Sequence, residues 1–309
     1  MLLVAQAPAR RAVWKRASLI LPYLDQLLAE TDVATRLRND PLELPHRYQA
    51  PADVEIAALL SSALAYGRVD LFKPRLEELL ASLGPSPART ASDSTAAQLL
   101  ERTSSFSYRM TSGRDVACLL LGAGRLLSDH GSLGARFGAH YQRLGGGPQR
   151  LGGETIRAAL GAFVDDLYAP DFRALTGARE PSRRLKHLLP HPGRGSACKR
   201  LNLFLRWMVR GPDGVDLGLW REVPPRALVI PLDTHVHRIG SFIGLTRRKD
   251  LSWRTAEEIT AHLRHLDPED PVRFDFALSH LGISGACPSR RDERKCAGCP
   301  LQPICRHWT

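Results

Sequence analysis

The chain has 309 residues, 43% of them apolar, which is enough for two lobes with buried cores. Its 43 Lys and Arg outnumber 32 Asp and Glu, and the formal net charge of +11 favours a polyanionic partner, nucleic acid being the commonest in a cytosol. No apolar run is long enough to cross a bilayer and no signal-peptide pattern opens the sequence, so a membrane protein and a secreted disulfide framework are set aside and a cytoplasmic location is expected.

The first acid-free stretch, residues 1–17, contains Arg10, Arg11, Lys15 and Arg16 and reads as a frayed basic N-terminus, with a transit peptide as the alternative. From Asp53 the residues Ile56, Leu59, Leu60, Ala63 and Leu64 repeat at intervals of three and four, and Pro51 and Asp53 supply a helix start. A second helix follows Asp115 through Val116, Leu119, Leu120, Leu126 and Leu127 and stops near Gly131; a third opens at Thr155 and runs through Leu160 and Phe163. Turns over 40–51, 84–87, 145–148 and 211–214, rich in Gly, Pro and Asp, separate these elements. Only residues 228–230 read as a strand, and three residues make a poor one, so the fold class is all-α without internal repeats.

Residues 181–210 carry Arg183, Arg184, Lys186, Arg194, Lys199, Arg200, Arg206 and Arg210 with no acid among them, a candidate phosphate-contact surface. Within it a glycine-led turn precedes an amphipathic helix, with Leu201, Phe204, Leu205 and Met208 on one face and Lys199, Asn202, Arg206 and Arg210 on another. Lys199 falls in the first turns, where the helix dipole and Arg200 both disfavour an ammonium ion; it is either a neutral amine nucleophile or a solvated lysine touching phosphate. Further on, Asp233 sits where a helix through Val236, Ile239, Phe242 and Ile243 needs an N-cap. A carboxylate there is a cap, or, against an apolar wall, a stabiliser of a cationic transition state. His235 and His237 read as structural or phosphate-contacting groups ahead of metal ligands.

The last motif is Cys287, Cys296, Cys299 and Cys305, spaced C-x8-C-x2-C-x5-C on a loop punctuated by Gly and Pro. Four soft thiolates so placed can surround one [4Fe-4S] cluster or one zinc ion. Structural zinc sites usually pair two C-x2-C knuckles, and only one close pair exists here, which favours iron-sulfur. Cys118 and Cys198 lie in apolar-periodic segments and stand apart from this set.

Residues 231–238, Pro-Leu-Asp-Thr-His-Val-His-Arg, resemble the V-D-T-H-x-x-R segment of endonuclease III and its relatives in the helix-hairpin-helix DNA glycosylase superfamily. The four-cysteine loop resembles the [4Fe-4S] loop of that branch, and residues 55–65 are similar to the helix opening its helical barrel. Residues 199–205 resemble the lysine helix of archaeal 8-oxoguanine glycosylases, so the chain looks like a bacterial branch of the superfamily from about Asp53 onward. The resemblance implies a two-lobed fold: a middle lobe over 50–205 with a hairpin-like turn and the lysine helix, and a second lobe from 1–49 plus 206–309 with the aspartate and the iron-sulfur loop.

It also implies a monomeric, nucleoid-associated base-excision repair glycosylase, acting on duplex DNA with a damaged base such as an oxidised purine, flipped into the cleft between the lobes. Lys199 would attack the sugar and permit β-elimination, with Asp233 stabilising the oxocarbenium-like charge; otherwise Asp233 activates water and no lyase step follows. Arg194, Arg200, Arg206, Arg210, His235, Arg238, Arg290 and Arg291 are the expected DNA contacts. The sequence departs from the pattern in three places. The first cysteine gap is x8 rather than x6, and strict hairpin register puts Ser196 or Ala197 near the lysine position. Ala63 stands where a duplex-plugging glutamine is found, leaving Tyr66 and Arg68 as base-recognition candidates. The alternative reading is a non-catalytic iron-sulfur or zinc protein that binds nucleic acid, DNA or RNA, on the same fold.

Overall fold

The structure is a computed structural model; it describes residues 8–147 and 153–308, with side chains from Leu19 onward. The chain is predominantly helical: α1 (Pro8–Ala29), α2 (Val33–Arg38), α3 (Pro51–Leu64), α4 (Val69–Ser82), α5 (Pro87–Asp93), α6 (Ala96–Thr103), α7 (Gly113–His130), α8 (Leu133–Arg143), α9 (Gly153–Leu167), α10 (Arg173–Thr176), α11 (Arg183–Leu188), α12 (Lys199–Val209), α13 (Thr234–Ile243), α14 (Trp253–Leu266), α15 (Asp275–Ile283) and α16 (Glu293–Cys296). Among the described residues no helix is long and apolar enough to cross a membrane.

The helices read from apolar spacing are present. α7 ends at Gly131, whose φ of 75° is the left-handed stop that a Cβ disfavours. α9 begins at Gly153, two residues ahead of Thr155. The basic positions Arg10 to Arg16 lie on the first turns of α1 rather than on a frayed end, and their side chains are outside the described residues, as is Pro148 of the 145–148 turn.

Residues 228–230 form no strand; they are buried extended chain, with the Ile230 N–H donating to Thr260 Oγ1 at 3.0 Å. The one ladder among the described residues is a hairpin, β1 (Ser107–Tyr108) with β2 (Thr111–Ser112). Its turn places Arg109 at φ 50°, a position where Gly or Asn normally announces a hairpin, so the composition carried no such signal.

α5, α6, α8, α9 and α11 pack around α7, while α3 lies against α5 and α12. At the other side α1 packs on α14 and α15, and α13 on α15. Burial overrides amphipathicity in α3, where every residue from Asp53 to Leu64 is buried. Its Glu55 survives there because Leu133 N–H and Gly134 N–H at 2.9 Å, Ser132 Oγ at 2.8 Å and Trp220 Nε1 at 2.7 Å all donate to it. The carboxylate thus satisfies the open N-terminus of α8 and ties three segments together.

α13 and α15 cross closely because Gly282 has no side chain: a Cβ there would sit 2.5 Å from His235 Cβ.

Candidate functional site

A cleft of about 510 Å³ opens where residues 39–41, the loop between α3 and α4, α12, the start of α13 and one face of α15 meet. The volume is in the range of small-molecule sites. Lys199 and Asp233, 34 positions apart in the chain, both line it. Lys199 is the first residue of α12, half-buried, with Nζ 3.4 Å from the Ala65 carbonyl oxygen. Asp233 does cap α13: its Oδ1 accepts from His235 N–H at 2.8 Å and Val236 N–H at 2.9 Å. Capping and facing the cleft are therefore not alternatives, since one oxygen takes both N–H groups and the residue still lines the cavity.

The cleft floor is a buried ion network invisible in the sequence. Arg206, 3% exposed, donates to Asp216 Oδ1 through Nε at 3.1 Å and Nη2 at 3.0 Å, and to Asp275 Oδ2 through Nη1. Arg210 reaches Asp216 and Asp270 at 2.6 Å and Asp213 at 2.8 Å. These two arginines are not the free phosphate contacts their basic segment suggested, because Arg206 is buried, Arg210 is half-buried and the charge of both is answered by carboxylates. Burial pulls the Arg206 guanidinium down, but Asp216, Asp275 and Asp40 together lift it above its ordinary value.

Asp275 is pushed up to about 6, chiefly by burial, with Arg206 opposing and Asp233 adding repulsion that Lys199 offsets. Its Oδ1 is buried and has no hydrogen-bond partner among the described residues. The charges of Asp233 and Lys199 are thus both felt at Asp275, so the two ends of the expected catalytic pair share one electrostatic neighbourhood.

Arg200 is also buried and off the surface. It donates to the carbonyls of Ala63 at 3.0 Å and of His187, stands 5.0 Å over the Tyr66 ring, and burial without a carboxylate lowers it to about 10. Ala63, at the place of the plugging glutamine, is therefore interior. Tyr66 does not line the cleft; its hydroxyl joins the Tyr108 carbonyl at 3.1 Å and Thr111 Oγ1 at 2.7 Å, fastening α3 to the hairpin. Arg68 does line the cleft, exposed and paired with Asp70 at 2.5 Å.

His235 lines the cleft too, with Arg238 Nη2 3.4 Å from its Nδ1. Arg238 is half-buried and donates to the Cys287 carbonyl at 2.8 Å, so it braces the cysteine loop rather than facing solvent. Arg291 lies 3.8 Å over the Trp308 ring, while Arg290 is exposed. Arg194 is exposed on a 3₁₀ turn, Pro192–Arg194, followed by Gly195 at φ 82°. A bridge between Ser196 and Ser252, and the Trp253 N–H donating to the Gly195 carbonyl at 3.1 Å, hold this turn against the start of α14. The exposed Lys249 and Arg254 flank that contact; only the tertiary pairing joins them to Arg194.

Asp40, Asp275 and His280 are cleft residues that sequence reasoning missed. None belongs to a motif, and Asp40 and His280 are 240 positions apart.

Behind α13 lies a second cavity, lined by Cys287, Cys296, Cys299 and Cys305 together with Ile239, Phe242, Ile243, Leu281, Leu301 and Trp308. All four thiols are free of disulfides. Burial raises the Cys287 and Cys299 thiols, and neighbouring thiols add to it: Cys299 and Cys305 on the first, Cys296 and Cys305 on the second. Among the described residues no three His, Cys, Asp or Glu side chains gather as a set for a single metal ion; the cysteines stand around an apolar space instead. Cys118 and Cys198 are buried elsewhere.

Residues 40–284 match the family described as "Protein of unknown function (DUF2400)". The chain belongs to that family. The matched stretch begins at Asp40 and ends one residue past Ile283, so it takes in every cleft residue except Asn39 and stops short of the cysteine loop. No curated protein and no solved structure matches the chain.

Proposed function

We propose that this member of the family is a DNA N-glycosylase that takes a damaged nucleotide, flipped out of the duplex, into the cleft. The observation that carries the reading is the meeting of an amine, Lys199, and a carboxylate, Asp233, at one cavity of nucleoside-compatible size. Asp233, which lines the cleft, suits a developing oxocarbenium ion, because opposite charge in low-dielectric surroundings stabilises the transition state more than the neutral ground state. The exposed turn bearing Arg194, with Lys249 and Arg254 beside it, offers phosphate contacts outside the cleft.

Lys199 Nζ attacks C1′ as the base departs, and Asp233 stabilises the charge and moves the amine proton; the resulting Schiff base permits β-elimination. If Lys199 is not the nucleophile, Asp233 activates water instead and the strand stays intact. Cys287, Cys296, Cys299 and Cys305 would hold a [4Fe-4S] cluster at the second cavity, preferred to zinc because only one close C-x2-C pair is present. Bound there, the cluster supplies a structural cross-link for the loop that carries Arg290. A non-catalytic nucleic-acid binder is the second reading, favoured by the exposed basic turn, which needs no cleft chemistry.

Borohydride trapping on duplexes bearing oxidised, deaminated and alkylated bases tests the assignment. Lys199→Gln should abolish the covalent complex while retaining binding, and Asp233→Asn, which keeps the cap, should slow base release on the order of 10²-fold. A wild-type protein that processes none of the duplexes but binds them leaves the binder.

A further inference from the structure

The chemistry above has a nucleophile and a cation stabiliser but no donor for the departing base. His280 and Asp40 occupy the cleft beside them and are used by none of those steps. His280 lies on α15, 5% exposed, on the same face as Asp275, Ser279 and Ile283, the spacing that a helix needs to turn one side to a cavity. Its Nε2 is 3.0 Å from Asp40 Oδ2, and its ring rests 4.3 Å from that of Phe276. Nδ1 has no hydrogen bond among the described residues.

Asp40 is itself held firmly. Its Oδ1 accepts from Leu42 N–H at 2.9 Å and caps the 3₁₀ turn after it, leaving Oδ2 for the imidazole. Burial pushes its carboxyl up, but the His280 contact, the Leu42 N–H and the Arg206 charge outweigh that and hold it below its ordinary value. Asp40 is thus an anion whose Oδ2 stands within hydrogen-bond reach of the imidazole Nε2. Other charges face the pair from each neighbouring element: Arg36 of α2, whose Nη1 donates to the His280 carbonyl at 3.2 Å, Arg206 of α12 and Asp275 of α15. Arg206 touches Asp275 and acts on Asp40, so a continuous chain of charge connects Lys199 and Asp233 to the His280–Asp40 pair.

We propose that the His280–Asp40 pair is the general acid that protonates the leaving base. The step rests on the glycosylase reading and balances as follows. The C1′–N bond breaks with its electron pair going to the base; the imidazolium gives its Nδ1 proton to a base nitrogen or oxygen; neutral imidazole remains hydrogen-bonded to Asp40. Charge at C1′ is met by Lys199 or water, so acid and nucleophile are separate residues of one cleft acting on one nucleotide.

The experiment compares two single-turnover reactions of the full chain: base release from the lesion duplexes above, and borohydride trapping on a duplex carrying a preformed abasic site, from which no base has to leave. His280→Gln should slow base release on the order of 10²-fold while abasic-site trapping is unchanged. Asp40→Asn, which preserves an acceptor for Leu42 N–H, should slow base release by roughly tenfold and leave abasic-site trapping unchanged, because the carboxylate acts only through the imidazole it holds. Base release at the wild-type rate in His280→Gln, or equal slowing of both reactions, overturns the assignment. A wild type active in neither reaction refutes the glycosylase reading and this inference with it, and is told apart from the first outcome by the wild-type lanes alone.

Discussion

The two ends of α13 carry opposite chemistry. Its N-terminal end presents Asp233 and His235 to a cleft of carboxylates, a lysine and buried arginine, whereas its later turns present Ile239, Phe242 and Ile243 to four cysteines and Trp308. The cleft is held by mutual neutralisation: Arg206 among Asp216, Asp275 and the nearby Asp40. The cysteine cavity is held by apolar walls and by a few hydrogen bonds, such as Arg306 N–H to the Phe242 carbonyl at 2.8 Å and the Arg238 guanidinium to the Cys287 carbonyl. A charged site needs partners from many segments, while a thiolate site needs a small loop and something to bind at its centre.

Breaking the cleft should have the largest effect. Arg206→Met leaves Asp216 and Asp275 buried with less positive charge, and should lower stability by about 3–5 kcal/mol in urea unfolding. A loss within the range of an exposed arginine would show that the network is not holding the floor.

Breaking the other cavity comes next. Cys299→Ser should reduce iron in anaerobically purified protein from ~4 atoms per chain to less than half of that, while Cys118→Ser leaves it unchanged. Full iron in Cys299→Ser, or stoichiometric zinc in the wild type, would remove the contrast drawn here.

A smaller effect separates the two regions by pH. Burial pushes Asp275 up to about 6, so base release should rise as pH increases through that value and should be roughly tenfold slower one unit below it than on the plateau above. Asp275→Asn should flatten that rise. The same displacement makes this group's share of folding stability decline as pH rises from its ordinary range toward 6, since the folded state holds the proton longer than the unfolded chain does. Iron content should show neither dependence.

The smallest expected effect is at Arg194. Arg194→Ala should change stability by no more than about 0.5 kcal/mol, yet reduce the salt slope of duplex binding by about one contact. An unchanged slope would move the phosphate surface away from the turn.

Local physics made much of the molecule legible in the sequence. The apolar spacing of α7 and α13, the cap at Asp233, the left-handed stop at Gly131 and the grouping of four cysteines each depend on residues within a few positions of one another. Tertiary structure decided the fate of the charges. Arg194 and Arg206 lie twelve positions apart in one acid-free stretch, and one reaches solvent while the other is enclosed by Asp216 and Asp275. Tyr66 was drawn off to the hairpin, and Asp40 was brought to His280 from the far end of the chain. The physical reason is that a helix is written in its own periodicity, whereas the partner of a buried charge can come from any segment that packing brings within a few ångströms.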